Sequence, residues 1–212
     1  MGDRDGGGQA EQRTPLFVVL SGPSGAGKDA VLDEMARRGH AFHRVVTCTT
    51  RPPRENERDG VDYFFVTDAE FDALIAGNGL LEHAAVYGHR SGVPRQQVVD
   101  LLRQGLDVYV RTDVQGAASI KRLAPGAVLV FIAPSSIDEL EERIRARGAD
   151  DEERIQRRLK TAHEEMARRG EFEYVIVNQP GLLEATVDRL LEVLDVERLK
   201  PRASIEGLAS KP

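Results

Sequence analysis

Short apolar runs alternate with longer amphipathic stretches along most of the chain. The first run, Leu16–Ser21 (LFVVLS), is continuously apolar, which is typical of a strand buried on both faces of a parallel sheet. A glycine-rich segment follows it, and Asp29–Arg38 then has apolar residues at helical spacing. Further strands are predicted by runs rich in β-branched residues at Asp107–Val110, Val128–Ile132 and Tyr174–Val177, with a weaker candidate at Arg44–Thr47.

Helical spacing fills most of the intervals between these runs. The predicted helices are Pro94–Gln104, Gly116–Leu123, Ser136–Arg147, Glu152–Arg169 and Leu182–Leu199. Strands that alternate with helices pair in parallel, and the crossover helices cover both faces of the sheet. The pattern therefore predicts an α/β fold, a parallel β-sheet with helices on both faces.

Two polar segments interrupt the alternation. Residues 49–93 open with TTRPPRENERDG and continue with a short strand at Tyr63–Val66 and a helix at Asp68–Ala76. This segment between core elements predicts a small inserted subdomain that binds substrate. The segment Gly148–Glu153 separates two arginine-rich helices, and it fits either a lid over about 143–158 or an ordinary helix–helix loop.

Length and composition favour one folded domain. The 212 residues are 41% hydrophobic and 30% charged, as in globular proteins. We expect the domain to cover 16–200, with a core of 16–48 and 94–200, and flexible tails at 1–15 and 201–212.

Charge and cysteine content narrow the partners and the compartment. A net charge of −6 disfavours a broad nucleic-acid surface, and no apolar run is long enough to span a membrane. The single cysteine, Cys48, cannot form an internal disulfide and fits a reducing compartment. With no export signal in the sequence, we expect a cytoplasmic protein without a nucleic-acid or membrane partner.

The sequence GPSGAGKD follows the first predicted strand and opens the first predicted helix. It fits the phosphate-binding loop pattern G-x-x-x-x-G-K, in which backbone N–H groups surround a phosphate and the lysine reaches the β/γ oxygens. The predicted ATP-binding residues are therefore Gly22, Pro23, Ser24, Gly25, Ala26, Gly27, Lys28 and Asp29.

Asp29 departs from this pattern, because the position usually carries a Ser or Thr whose hydroxyl ligates Mg²⁺. Its carboxylate is able to bind the ion directly or through water, or only to stabilise the helix N-terminus. An ionised carboxylate near phosphates repels them unless a metal lies between. We therefore expect Asp29 to be linked to Mg²⁺.

Four stretches together resemble the guanylate kinase family, and the resemblance covers Leu16–Leu199. They are SGPSGAGKDAV, TCTTRPPRENERDGVDYFFV, LLEHAAVYG with the following SGVP, and TDVQGA with the later FIAPSS. The resemblance implies a P-loop nucleoside monophosphate kinase that moves the γ-phosphoryl group of ATP onto GMP with Mg²⁺. It implies ATP and GMP as substrates, dGMP as a further candidate, and a monomer or homodimer.

The resemblance also implies roles for individual residues on the GMP side. The residues matching the family's GMP-phosphate ligands are Arg51, Arg54 and Tyr63. Glu82 matches the family's guanine-binding glutamate. A carboxylate suits that role because it accepts hydrogen bonds from the two adjacent donors of guanine, N1–H and the 2-amino group. A hydroxyl at Thr47 and the acid Asp113 complete the implied GMP site.

Further implied residues lie on the ATP side. Arg143, Arg147 and Arg158 match lid and ATP-side arginines, and the resemblance makes them catalytic together with Lys28 and Arg51. Asn178 follows the last predicted strand at its carboxyl end, where ligands bind in such sheets. The chain departs from the family pattern at Arg111, Ser91 and Val93, which replace an acid, a tyrosine and a hydroxyl residue respectively.

Two other functions fit parts of the same pattern. A ribose 1,5-bisphosphate-type small-molecule kinase also has a Lys-Asp ending in its phosphate loop, but lacks the long TTRPPR…DY stretch that this chain keeps. A non-catalytic guanylate-kinase-like module that binds protein ligands tends to lose the loop lysine and the lid arginines, which are present here.

Overall fold

The computed structural model describes residues 14–86, 88–146, 151–201 and 208. Within them the strands are β1 (Phe17–Ser21), β2 (His43–Arg44), β3 (Cys48–Thr49), β4 (Phe64–Phe65), β5 (Leu80–Val86), β6 (His89–Pro94), β7 (Val108–Arg111), β8 (Val128–Ala133) and β9 (Tyr174–Val177). The α-helices are α1 (Lys28–Arg37), α2 (Asp68–Ala76), α3 (Arg95–Arg103), α4 (Val114–Leu123), α5 (Ile137–Ala146), α6 (Glu152–Ala167) and α7 (Leu183–Arg198).

The core is a five-stranded sheet in the order β2-β7-β1-β8-β9, with every neighbouring pair parallel. The first four residues of the central strand β1 are apolar because they alternate between two hydrophobic clusters. Phe17 and Val19 pack with α3 and α4 on one face, whereas Val18 and Leu20 pack with α1 and α7 on the other. The predicted parallel sheet with helices on both faces is confirmed.

A second sheet in the order β4-β3-β6-β5 lies outside the core sheet. Its largest part is the antiparallel hairpin of β5 and β6, which the sequence did not indicate because LLEHAAV and HRSGVP are poor in β-branched residues. Helix α2 begins with a capping box, in which Thr67 accepts from the backbone N–H of Glu70 and the Glu70 carboxylate accepts from that of Thr67.

The predicted strand at Arg44–Thr47 is wrong in its position. The strand that pairs with β7 consists of His43 and Arg44, and the chain leaves the core sheet after Val45, whose backbone N–H still donates to the carbonyl of Tyr109 at 2.9 Å. It forms β3 at Cys48–Thr49, which pairs with β4 and β6 of the second sheet. One apolar stretch is thus divided between two sheets.

Two further predictions concern the lid and the C-terminal tail. Helices α5 and α6 pack together through Leu140, Ile144, Ile155 and Leu159, while residues 147–150 between them lie outside the described residues. A flexible tail over 201–212 is wrong for Leu208, which is buried in the core and whose carbonyl accepts from Arg95 Nη1 at 3.1 Å. None of the described helices is both long and apolar enough to cross a membrane.

Candidate active site

The loop between β1 and α1 has a shape that requires its glycines. Gly22 has a φ of 131°, and a Cβ there would lie 2.1 Å from the carbonyl oxygen of Ile132. Gly27 has a φ of 93°, and a Cβ there would lie 2.2 Å from Nδ2 of Asn178. Both the left-handed backbone and the close approach of neighbours exclude side chains, so the loop stays open to a ligand on its inner face.

Lys28 opens helix α1, and its side chain turns back along the loop. Its Nζ donates to the carbonyl oxygens of Gly22 at 2.5 Å and Pro23 at 3.0 Å. No side chain caps the N-terminus of α1. The backbone N–H groups of the first helical turn, the positive end of the helix dipole and an ammonium group therefore meet at one place, which is suited to bind a phosphate chain.

Asn178 supports this loop from the end of β9. It is 5% exposed; its Nδ2 donates to the carbonyl of Ala26 at 2.8 Å and its Oδ1 accepts from the hydroxyl of Thr186 at 3.1 Å. Arg143 of α5 joins the same contact, since its Nη2 donates to the carbonyl of Asn178 at 2.9 Å. Two of the residues predicted for the ATP side, Asn178 and Arg143, thus touch the loop or its support.

The predicted GMP-phosphate residues form an arginine–tyrosine cluster beside the second sheet. The Arg51 guanidinium lies 5.4 Å from the centre of the Tyr63 ring and 5.8 Å from that of Phe65. The side chain of Arg54 is 65% exposed. An exposed and a partly covered guanidinium beside a phenol can together donate several hydrogen bonds to one phosphate.

Glu57 holds this cluster together, and the sequence reasoning gave it no role. Both of its carboxylate oxygens accept from Arg51 Nη2 at 2.8 Å, and Oε2 also accepts from the backbone N–H of Arg54 at 2.8 Å. Partial burial opposes ionisation, but these bonds outweigh it and lower the pKa of Glu57. Its place inside the motif RPPRENE was the signal that could have found it.

Glu82 is a buried carboxylate at the meeting point of β5 and α4. It is 8% exposed; Oε1 accepts from the hydroxyl of Thr112 at 2.9 Å, while Oε2 is buried and has no partner among the described residues. Burial raises the pKa of Glu82 to about 7, against the opposing bond from Thr112. A Cβ at Gly116 would lie 2.8 Å from this carboxylate, so the glycine keeps room for it.

Asp113 and Thr47 flank the same region. The Asp113 carboxylate caps α4 and accepts from the backbone N–H groups of Gln115 and Gly116, both at 2.8 Å. Its charge also raises the pKa of Glu82, which shows that the two acids lie near each other. Thr47 is 5% exposed and immediately precedes β3.

Glu165 is a second buried acid that the sequence reasoning missed. It lies on α6 at 8% exposure, and burial raises its pKa although the nearby Lys28 ammonium lowers it. Lys28 and Asp113 both act on it electrostatically, so α6 brings a carboxylate towards the phosphate loop. The signal was a charged residue on the apolar face of α6, in helical phase with Ile155 and Ala162.

Asp29 is engaged by two arginines. Its Oδ1 accepts from Arg44 Nη2 at 2.7 Å and from Arg111 Nη1. The Arg111 guanidinium also lies 5.9 Å from the centre of the Tyr63 ring. The cluster therefore connects the first turn of α1 to the arginine–tyrosine cluster of Arg51 and Tyr63.

The other arginines of α5 and α6 divide into two groups. Arg145 pairs with Glu141 and Glu152, and Arg157 pairs with Glu153, as expected of a solvated face. Arg158 is half-buried on α6 next to the buried Leu159. Arg147, predicted as catalytic, lies outside the described residues.

Metal binding by the protein alone is not indicated within the part of the chain that the structure describes. No three His, Cys, Asp or Glu side chains there are placed to hold an ion. In phosphoryl transfer generally, Mg²⁺ is held largely by nucleotide phosphates and water.

The structure thus brings two sets of predicted residues to one edge of the core sheet. The loop, Asn178 and Arg143 meet at the carboxyl ends of β1 and β9. The Arg51 cluster and the Glu82 carboxylate lie across from them, where the second sheet joins β7 and α4. Ligands of open α/β sheets bind at this edge.

Known proteins of one family are similar to this chain over most of its length. The family model described as guanylate kinase matches residues 13–197. The chain is 46% identical over 171 residues to a guanylate kinase of Thermobifida fusca, covering 81% of this chain and 87% of that one. It is 40% identical to guanylate kinase 2, chloroplastic/mitochondrial, of Oryza sativa, over 88% of this chain but 66% of the rice protein.

A solved structure shows the same fold. The crystal structure of guanylate kinase from Anaplasma phagocytophilum superimposes with a TM-score of 0.73 at 31% identity, covering 89% of this chain and 88% of the other. Sequence motifs, family model and fold therefore agree, and the chain belongs to the guanylate kinase family.

Proposed function

We propose that this protein transfers the γ-phosphoryl group of ATP to GMP and releases ADP and GDP. The observation that carries the proposal is the buried Glu82 carboxylate, whose Oε2 has no partner among the described residues. Guanine offers two adjacent donors, N1–H and the 2-amino group, and a carboxylate offers two adjacent acceptors. Adenine presents no such pair of donors on that edge.

Selectivity follows from the burial of Glu82. A base that cannot donate leaves a buried carboxylate without hydrogen bonds, and sites of this kind reject a mismatched ligand by ~10⁴-fold or more. The Glu82 site is 8% exposed, so little water is present to replace the lost bonds. Thr47 and Asp113 complete the proposed base and ribose side of the pocket.

The two phosphate groups are proposed to bind in the two basic regions. Arg51, Arg54 and Tyr63 would hold the GMP phosphate, whereas the loop and Lys28 would hold the β- and γ-phosphates of MgATP. Arg143 and Arg158 would add positive charge on the ATP side, and Asn178 would keep the loop in shape. A phosphate oxygen of GMP is already an anionic nucleophile, so positioning and charge stabilisation suffice without a general base.

Compartment, ion and assembly belong to the same proposal. We infer a cytoplasmic enzyme of purine nucleotide metabolism that uses Mg²⁺ with ATP and acts as a monomer or homodimer. The single free cysteine, Cys48, is buried, which is compatible with a reducing compartment.

A coupled assay of ADP release tests the proposal directly. The protein would be supplied with MgATP and, separately, with GMP, dGMP, AMP, UMP and ribose 1,5-bisphosphate. We expect turnover with GMP, with or without dGMP, at rates typical of nucleotide kinases, about 1–100 s⁻¹. Turnover of the ribose compound alone would assign a sugar-phosphate kinase, and no turnover with any acceptor would favour a protein-binding module.

The GMP-phosphate cluster gives a second test in the same assay. Arg54→Ala is expected to raise KM for GMP by about tenfold or more, because a charged hydrogen bond to the phosphate is lost, and to leave KM for ATP nearly unchanged. Arg103→Ala, at an exposed position of α3, is the matched control. Equal effects on both KM values would remove Arg54 from the GMP site.

A further inference from the structure

The cluster of Asp29, Arg44 and Arg111 has no role in the function proposed above. Two of its members are positions where the chain departs from the family pattern, with a carboxylate at Asp29 in place of a hydroxyl and a guanidinium at Arg111 in place of an acid. In the structure these two departures contact each other directly through Asp29 Oδ1 and Arg111 Nη1. They therefore form one unit and call for one explanation.

Arg111 lies between the two proposed phosphate sites. It ends β7, where it is in register with Leu20 of β1, two residues before Gly22 of the phosphate loop. On its other side its guanidinium is 5.9 Å from the centre of the Tyr63 ring, in the cluster proposed to hold the GMP phosphate. A residue at this point is near both phosphate groups when the two nucleotides are bound.

The surroundings of Arg111 favour an anionic ligand. Its side chain is 12% exposed, and its Nε is buried with no partner among the described residues. Burial lowers the pKa of Arg111 to about 10, since a guanidinium away from water lacks hydration. Phosphate oxygens would supply the missing acceptors and compensate the buried charge.

Asp29 is arranged as a partner of arginines. Its Oδ1 accepts from both Arg44 and Arg111, and Arg44 in turn pairs with Asp33. An oxygen that already faces two guanidinium groups is a poor direct ligand for a divalent cation, because the cation would be repelled by both. The same contacts fix the orientation of the Arg111 fork.

On the basis of the proposed function, we propose that Arg111 binds phosphate oxygens where the two nucleotides meet, and that Asp29 positions Arg111 instead of ligating Mg²⁺ directly. A bidentate guanidinium at this point would stabilise the negative charge that develops on the transferred phosphoryl group. Arg111 is thus a catalytic residue and Asp29 a positioning residue.

The first test uses a bisubstrate probe, adenosine and guanosine joined through five phosphates, whose binding is measured by calorimetry. Arg111→Gln is expected to weaken the probe about 10²-fold and to lower kcat by a similar factor, while GMP alone binds within a few-fold of wild type. Arg44→Gln removes the other partner of Asp29 and is expected to weaken probe binding less than about fivefold. Arg103→Gln, at an exposed arginine of α3, is the inert control.

The second test asks whether Asp29 acts through Arg111 or through the metal. Asp29→Asn is expected to weaken the probe about tenfold in the wild-type background and to have no effect in the Arg111→Gln background. The Mg²⁺ concentration that gives half-maximal probe binding should stay the same. A higher Mg²⁺ requirement in both backgrounds would identify Asp29 as a metal ligand and overturn the positioning role.

The outcomes separate this inference from the function on which it rests. Wild-type protein that neither turns over GMP nor binds the probe would refute the proposed function. If the wild type is active and Arg111→Gln matches Arg103→Gln in probe affinity and kcat, only the role of Arg111 is refuted. Should Arg111→Gln fail to fold, as judged by thermal melting, Arg111→Lys keeps the charge without the fork and should still bind the probe at least tenfold more weakly.

Discussion

At the scale of single residues, Glu82 shows how burial determines chemistry. An exposed glutamate has a pKa near 4.5, whereas Glu82 is buried beside Gly116 and Thr112, and burial raises its pKa to about 7. Guanine needs the ionised form as acceptor. The protonation state of Glu82 near neutral pH therefore controls the proposed recognition of GMP.

The first prediction concerns the pH dependence of GMP binding. Between pH 8 and pH 6 the KM for GMP of the wild type should rise about tenfold, because the neutral carboxyl presents a donor where guanine also donates. Glu82→Gln should raise this KM by about 10- to 100-fold at pH 8 and should remove the part of its pH dependence that comes from the Glu82 carboxyl. KM for GMP is measured for both proteins across the pH range.

The phosphate of GMP also titrates, with a second pKa near 6, but this contribution is common to both proteins. The comparison between wild type and Glu82→Gln therefore isolates the carboxyl group. Parallel pH profiles for the two proteins would exclude Glu82 from base recognition.

At the scale of elements, the phosphate loop depends on the end of a distant strand. Asn178 follows β9, yet its amide holds the carbonyl of Ala26 inside the loop, while Thr186 of α7 holds the amide. The two residues are 152 positions apart along the chain, so no local sequence pattern indicates this contact. Loop shape is consequently a property of three elements and not of the motif alone.

Substitution of Asn178 tests this support. Asn178→Ala removes two buried hydrogen bonds, so we expect a loss of about 2 kcal/mol in the free energy of unfolding and a rise of several-fold in KM for ATP. KM for GMP should change little. Chemical denaturation and steady-state kinetics measure the two effects.

The neighbouring Gln179→Ala is the matched control, because Gln179 is exposed and adjacent in sequence. Reduced stability with an unchanged KM for ATP would mean that Asn178 supports the fold but not the nucleotide loop.

At the scale of the whole molecule, two buried acids make stability depend on pH. Burial raises the pKa of both Glu82 and Glu165 above that of an unfolded chain. Between the unfolded pKa near 4.5 and the folded values, the folded state binds more protons than the unfolded state. The stability that these groups contribute is therefore fully present below the unfolded pKa and is lost as the pH rises through the folded pKa values.

We accordingly expect the melting temperature to be higher at pH 5.5 than at pH 8. The double variant Glu82→Gln and Glu165→Gln should flatten this difference by gaining stability at pH 8, because a neutral amide has no buried charge. Glu70→Gln, at an exposed residue whose pKa is lowered, is a control that should not flatten it. A melting temperature that rises from pH 5.5 to pH 8 in the wild type would contradict the assignment.

The core sheet and most of its helices follow from the pattern of apolar and polar residues along the chain. Continuous apolar runs are required where a strand is covered on both faces, and β1 meets that condition, because all five of its residues are buried and the first four are apolar. Glycine spacing likewise indicated the loop, since Gly22 and Gly27 adopt backbone angles that side chains disfavour. Both features depend on residues close together in the sequence, so the sequence pattern predicts them.

Other features depend on contacts between elements and appear only in the folded protein. The β5–β6 hairpin forms from segments of weak strand propensity because each strand is completed by pairing with the other. Glu165 and the bond between Asp29 and Arg111 were not predicted, because their partners lie on other elements. Burial and long-range electrostatics arise only when the chain is folded, so they determine the chemistry of residues whose identity the sequence supplies.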